Sequence, residues 1–137
     1  MQDFRRTRHS VSRLTVHLVC VTKYRRKVFD DRALEFLKNH ASQAFAKMDC
    51  QLLACDGEAD YVHMLVEYPP KLSVSVLVNM VKGTSSRMLR QARPDIAERY
   101  WGNGVLWSPS YFAASTGGAT PEMVKRYVEQ QRASASP

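Results

Sequence analysis

The sequence predicts an α+β fold: a ferredoxin-like, or RRM-like, split βαβ antiparallel sheet with two helices on one face, plus a C-terminal helix. Three observations carry that expectation. Apolar residues alternate with period two in several stretches and step by three or four in others. The two periods occur in the order β-α-β-β-α-β-α along the chain. Gly and Pro fall at the changes of period, where the chain has to turn.

The first strand reads RLTVHLVCVTK over 13–23. Leu14, Val16, Leu18 and Cys20 alternate with Thr15, His17, Val19 and Val21, and the β-branched enrichment makes the strand largely buried. The basic run Lys23-Tyr24-Arg25-Arg26-Lys27 ends it. Over 31–48, Leu34, Leu37, Ala41, Phe45 and Met48 form one stripe of a helix, with Asp30 or Asp31 as N-cap. Residues 50–56 and 61–68 read as two strands around the turn Gly57-Glu58-Ala59-Asp60. Val62, Met64 and Val66 share one face of the second; Tyr61, His63, Leu65 and Glu67 share the other. Pro69-Pro70 stops it, because proline cannot donate to the ladder.

The second long helix covers 73–92, capped by Ser73, with Val74, Leu77, Val78, Val81, Met88 and Leu89 as its stripe. Gly83 inside it costs about 1 kcal/mol relative to Ala. Close approach of a backbone or phosphate would explain that glycine, and so would tolerance of a weak spot. A loop at Trp101-Gly102-Asn103-Gly104 precedes a final strand from Val105 to Ser115, broken by Pro109. Gly117-Gly118 reads as a flexible joint. Thr120-Pro121-Glu122 then starts a last helix that runs to about Arg132, with Thr at N-cap and Pro at N1. The expected organisation is a single domain over 1–137, with a core at 13–115 and a terminal helix at 120–132. The sheet face away from the two long helices is left open for a ligand.

Composition narrows the function. The chain has 137 residues, one domain's worth. Lys plus Arg number 20 against 13 for Asp plus Glu, and the net charge of +7 favours an anionic partner, nucleic acid first. No apolar stretch approaches the ~18 residues of a membrane span, and MQDFRRTRHS has no apolar segment of the signal-peptide kind. Cys20, Cys50 and Cys55 are odd in number and contain no C-x-x-C pair, so they read as reduced thiols of a cytoplasmic protein rather than a disulfide or zinc framework.

Several side chains could carry chemistry. Tyr127 and Gln131 are four apart on the last helix and share a face, which Met123 joins. Such a tyrosine is either core or interface, or a nucleophile whose phenol needs help from a cation. Tyr61 and His63 project to the same side of a strand, roughly 6–7 Å apart at Cα. Spacing alone makes no metal site of them. His17 has no paired ligand nearby in sequence and reads as structural; His9 and His40 read as exposed. Basic groups lie at Arg5, Arg6 and Arg8, at Lys23, Arg25, Arg26 and Lys27, and at Lys82, Arg87 and Arg90. Tyr24 interleaves with the second group, a mixture that suits phosphates and unpaired bases.

Four blocks agree in order and spacing with a known family: VHLVCVTKYRRKV (16–28), DGEADYVHMLVEYPPKLSVSVLVNMVKGTSSR (56–87), WGNGVLWSPSYF (101–112) and TPEMVKRYVEQQ (120–131). Together they resemble the IS200-like transposases, the small single-tyrosine HUH enzymes of insertion sequences, over residues 13 to 132. The resemblance implies a homodimer that cuts and rejoins single-stranded DNA beside small hairpins at the element's ends. The family nucleophile falls on Tyr127, which would attack the scissile phosphate, keep a 5′-phosphotyrosine and release a 3′-hydroxyl. The metal-binding amide falls on Gln131, and the last helix swaps in trans across the dimer. The implied cofactor is a divalent metal, Mg²⁺ or Mn²⁺, which would stabilise charge developing at phosphorus. Arg25, Arg26, Lys27, Lys82 and Arg87 are the expected DNA-binding cations.

One position departs from the family. Its paired histidines take the form His-hydrophobe-His, and here Tyr61 stands first, so only Val62-His63 match. A neutral phenol is a poor ligand for Mg²⁺, which leaves the metal His63 and Gln131. Losing a direct ligand should cost at least the roughly 10–100-fold typical of outer-shell changes. Three accounts stay open: a weak but working nuclease, a catalytically disabled DNA-hairpin-binding protein, or a single introduced or drifted change. An RNA-binding domain of the same topology is a third function class, against which the strands lack the RRM aromatic consensus.

Overall fold

The computed structural model describes residues 4–100, 105–115 and 120–134. Alternation in Leu14–Val21 (β3) has the expected consequence: Val16, Leu18 and Cys20 are buried on one face. Val19 and Val21 are buried on the other, so this strand is covered on both sides. It lies in the middle of a four-stranded antiparallel sheet of order β4-β5-β3-β6, with β4 at Gln51–Glu58, β5 at Tyr61–Tyr68 and β6 at Phe112–Ser115. β3 pairs with β5 from Leu14↔Tyr68 to Val21↔Tyr61, and with β6 from Val16↔Ser115 to Val19↔Phe112. β4 and β5 form a hairpin with a register shift between Leu52 and Ala54. β4 runs on to Glu58, leaving Ala59-Asp60 as the turn. Gly57 is needed there, since a Cβ would meet the Tyr61 carbonyl oxygen at 2.3 Å.

Helices α1 (Asp31–Lys47) and α2 (Val74–Ala92) cover one sheet face. Leu37, Ala41 and Phe45 of α1 and Leu77, Val78, Val81 and Leu89 of α2 pack with Val62, Met64 and Val66 in one core. Both caps read from the sequence are present. Ser73 accepts from the Val76 amide at 3.2 Å, and Asp30 accepts from the Ala33 amide at 2.8 Å. Asp30 also takes a two-pronged bond from Arg93, at 2.9 and 2.8 Å, which ties the end of α2 to the start of α1. The Arg93 guanidinium, helped by the Ala33 amide, holds the Asp30 carboxyl well below the usual carboxylate range. Its contribution is therefore present above the ordinary carboxylate pKa and fades as pH falls. Asp30→Ala is expected to lower stability by about 1 kcal/mol at neutral pH, read as an earlier urea midpoint. The difference between the two proteins should start to narrow only once pH falls below about 4 and go on narrowing to the acid limit of the titration; a gap that stays constant across that range would mean that the ion pair contributes nothing.

Elements outside the expected pattern also occur. Arg5–Arg6 (β1) and Val11–Ser12 (β2) form a small hairpin. Arg5 clamps Glu67 at 3.0 and 2.6 Å and Asp49 at 2.8 Å, so this cation is structural. Lys23–Arg25 form a 3₁₀ turn and Pro94–Ala97 (α3) one short helix. A Cβ added at Gly83 would meet nothing within 4 Å among the described residues, so close approach of another part of the chain does not explain that glycine.

The final strand is shorter than the sequence suggested. Val105 to Tyr111 is not strand, because its polar groups bond elsewhere. The Leu106 amide donates to Ser86 Oγ at 3.3 Å, Trp107 Nε1 donates to Ser85 Oγ at 2.9 Å, and Trp107 keeps only an isolated bridge to Thr22. Lys82 Nζ donates to the Ser108 and Ser110 carbonyls and pins the segment to α2. The loop at 101–104 and the Gly117-Gly118 joint lie outside the described residues.

The opposite sheet face is not left open either. The last helix, α4 (Pro121–Ser134), lies on it, with Val124, Tyr127 and Val128 against Val19, Val21, Tyr61 and Phe112. Its apolar stripe has a partner in its own chain.

Candidate functional site

Three side chains meet where α4 crosses the end of β6. Tyr127 Oη lies 3.1 Å from Ser110 Oγ, and Ser110 Oγ donates to Gln131 Oε1 at 3.0 Å. The hydroxyl hydrogen of Ser110 is thus committed to Gln131, and the Tyr127 phenol donates to Ser110. The four-residue spacing that puts Tyr127 and Gln131 on one helix face lets a single serine hold both. The Tyr127 ring sits 5.7 Å from that of Phe112, centroid to centroid. Burial pushes the phenol above its ordinary pKa, opposed by the bond to Ser110, so it is protonated at neutral pH.

Arg25 fastens α4 from below. Its Nη1 donates to the Val128 carbonyl at 2.8 Å and its Nη2 pairs with Asp60. Both side chains are buried, 6% and 2% exposed. Arg25 was expected among the DNA-binding cations; the structure instead turns it inward. Tyr24 and Arg25 both have left-handed backbone, with φ of 61° and 55°, and the turn that results points Tyr24 outward and Arg25 inward. Lys82 is likewise occupied with the Ser108 and Ser110 carbonyls, and burial lowers its pKa. Lys27 and Arg87 are exposed. Arg26 lies between two aromatic rings, 5.2 Å from that of Tyr24 and 5.0 Å from that of Tyr100.

The expected metal donors do not converge within one chain. Tyr61 and His63 line a cleft of about 590 Å³ between β5 and the start of α4, with Asp56 beside them and Thr120, Val124 and Lys125 opposite. Gln131 lines a different cleft of about 250 Å³, with Lys23, Tyr24 and Ser108. The Tyr61 ring belongs to the apolar cluster that seats α4. Among the described residues, no group of three or more His, Cys, Asp or Glu side chains could hold an ion. Within the single chain, Tyr61 and His63 thus face one cleft and Gln131 another.

His17, read as structural, lies beside His63: His17 Nδ1 is 2.9 Å from His63 Nε2, with ring centroids 5.1 Å apart. Burial lowers the His17 pKa, with the facing His63 adding to it. On its other side, His63 Nδ1 is 3.6 Å from Asp56 Oδ1. The two histidines are far apart in sequence, and only the strand register brings them together.

The three cysteines are free thiols, and burial pushes the Cys20 thiol up to about 12. No helix among the described residues is long and apolar enough to cross a membrane.

Comparison with known proteins gives a consistent result. Residues 10–131 match the sequence family described as "Transposase IS200 like". The ISDra2 transposase TnpA of Deinococcus radiodurans is 29% identical over 129 residues, spanning 94% of this chain and 91% of that protein. The transposase for insertion sequence element IS200 of Salmonella typhimurium is 29% identical over 131 residues, 96% of this chain and 85% of that protein. A crystal structure of a Deinococcus radiodurans R1 protein assigned as a transposase superposes with a TM-score of 0.82 at 30% identity, covering 93% of this chain and 97% of that one. A REP-associated tyrosine transposase bound to a REP hairpin shares the fold, with a TM-score of 0.54 at 12% identity, over 94% of this chain and 69% of that one.

Proposed function

The chain belongs to the IS200-like transposase family, and from that premise we propose that it cuts and rejoins single-stranded DNA at the hairpin-flanked ends of a mobile element, with Tyr127 as nucleophile. Its core is read as the ferredoxin-like arrangement, which the strand order β4-β5-β3-β6 supports. The observation that carries the proposal is the group Tyr127–Ser110–Gln131, which holds a phenol and an amide on one side of α4.

In the proposed step, Tyr127 Oη bonds to the scissile phosphorus and the bond from phosphorus to the 3′-oxygen breaks. The 5′ side stays on the enzyme as a phosphotyrosine, and the 3′ side leaves as a hydroxyl. The phenolic proton has to depart as the oxygen attacks, and Ser110 is the group bonded to it at the outset. The phosphotyrosine is itself a phosphodiester, so a later 3′-hydroxyl can displace the tyrosine and rejoin the strand without another energy source. Lys27 and Arg87 are exposed cations suited to the DNA backbone, and Arg26 and Tyr24 to phosphate and base together.

The proposal includes a divalent cation, Mg²⁺ or Mn²⁺, with His63 as its protein ligand. It also includes a cytoplasmic homodimer in which α4 is exchanged. Exchange would have to release the bonds from Arg25 to Val128 and from Ser110 to Tyr127 and Gln131. A second reading, hairpin binding without cutting, is favoured by one observation: the Tyr61 side chain is spent on seating α4. That reading predicts hairpin affinity indifferent to chelators.

The test is to incubate the protein with single-stranded DNA from the regions flanking its gene, with Mg²⁺ or Mn²⁺, and look for an adduct that survives denaturation. The transposase reading expects one. Tyr61→His is expected to raise metal-dependent adduct formation at least about ten-fold. If both proteins bind a hairpin and neither forms an adduct, the binding-only reading stands. If the two react equally, position 61 takes no part in metal binding.

A further inference from the structure

We propose that His17 and His63 together form a two-imidazole site for a borderline divalent cation of the Co²⁺ or Zn²⁺ type, with His17 supplying the nitrogen donor that Tyr61 cannot. The proposal deepens the reading of His63 as a metal ligand and rests on it.

The sheet register creates the pair. Val19 lies opposite His63 and His17 lies opposite Leu65, so the two histidines are diagonal neighbours on one face of adjacent strands. Diagonal positions are ~7–8 Å apart at Cα, within reach of two imidazoles. Here the reach is used fully, with facing nitrogens 2.9 Å apart. The rings are inclined by only 19° with centroids 5.1 Å apart, so they meet nearly edge to edge, nitrogen toward nitrogen, rather than face to face. Two imidazole nitrogens each ~2.1 Å from one ion, about a right angle apart, are ~3.0 Å from each other. Replacing the shared hydrogen by an ion therefore asks the rings to pivot but hardly to separate.

The outer contacts suit that exchange. A histidine that binds an ion through Nε2 carries its hydrogen on Nδ1. For His63 that hydrogen would point to the side of Asp56, whose Oδ1 is 3.6 Å away. A carboxylate behind a metal-bound imidazole is the usual outer-shell partner. The β6 residue opposite His17 is Ala114, and His63 itself lines the cleft beside α4, where water could complete the shell of an ion. Tyr61 is two residues from His63, but its ring is packed with α4. Two nitrogen donors favour Co²⁺ or Zn²⁺ over Mg²⁺ and Mn²⁺, which suit oxygen donors better.

The test is a Co²⁺ titration of the full chain without DNA, followed by its visible absorption. The unaltered protein is expected to bind Co²⁺ with a spectrum typical of nitrogen ligation. His17→Ala and His63→Ala should each weaken binding at least about ten-fold, and Tyr61→Phe should leave it unchanged. A His17→Ala protein that titrates like the unaltered one overturns the proposal, and so does loss of binding in Tyr61→Phe. Because a strand substitution can disturb folding, the imidazole nitrogens of the unaltered chain are also followed by ¹⁵N NMR with Zn²⁺. Shifts at both His17 and His63 support the pair; a shift at only one overturns it. None of these readouts uses DNA. A missing covalent adduct would count against strand transfer alone, and an unchanged His17→Ala titration against the imidazole pair alone.

Discussion

Tyr127→Phe is expected to abolish the covalent protein–DNA adduct, a fall of at least about a thousand-fold, while hairpin binding stays within a few-fold. The substitution removes one oxygen and nothing else. The ring keeps its place beside Phe112, and Val124 and Val128 keep α4 on the sheet. The bond to Ser110 is lost, but it is an exposed bond between neutral groups, of the kind worth about 1 kcal/mol. Folding and docking should therefore survive, and the chemistry should not, because no phenylalanine atom can bond to phosphorus. Denaturing gel electrophoresis of the reaction with labelled single-stranded DNA checks the first half, and a hairpin titration checks the second. An adduct that persists in the phenylalanine protein would assign the nucleophile to another residue. A variant that loses hairpin binding as well would give Tyr127 a structural role that the geometry does not suggest.

The second large effect is on stability. Asp60→Ala is expected to cost about 3–5 kcal/mol, because it leaves the Arg25 guanidinium buried without its carboxylate. Both members of the pair are shielded from water, and Arg25 Nε has no hydrogen-bond partner among the described residues with which to share the charge. A domain of this size has a total stability of roughly 5–15 kcal/mol, so the loss would show as a much earlier denaturant midpoint. It should also reach α4, since Arg25 donates to the Val128 carbonyl from the same guanidinium. Hydrogen exchange at the α4 amides should quicken more than exchange in α1. Asp60→Asn, which keeps a hydrogen-bonding oxygen but drops the charge, should fall between. A cost below about 1 kcal/mol for Asp60→Ala would mean that water reaches the guanidinium.

Much of this molecule is legible in the sequence, and the reasons are local. The period-two alternation of Leu14–Val21 and Tyr61–Tyr68 and the helical stripes of α1 and α2 mark elements whose burial follows from their own spacing. Asp30 and Ser73 announce their caps because a cap bonds within three residues. The pairing of Tyr127 with Gln131 on one helix face is local in the same sense. The last strand is harder to read, because Val105 to Tyr111 has strand-like residues whose polar groups are claimed by Ser85, Ser86 and Lys82 of a different element.

The candidate site divides in the same way. Sequence alone determined the order of the four strands of the sheet and of the three long helices, the basic balance, and the tyrosine standing where the family resemblance puts a histidine. Only the tertiary structure decided that Arg25 is an internal strut and not a surface cation, that α4 covers the second face of its own sheet, and that His17 meets His63. Each of these depends on a contact between residues distant along the chain. Periodicity and capping report how a segment relates to its own neighbours within a few residues, whereas strand register and helix docking are set by burial summed over the whole domain. A cation in a basic run looks the same in sequence whether its charge ends in water or beside Asp60.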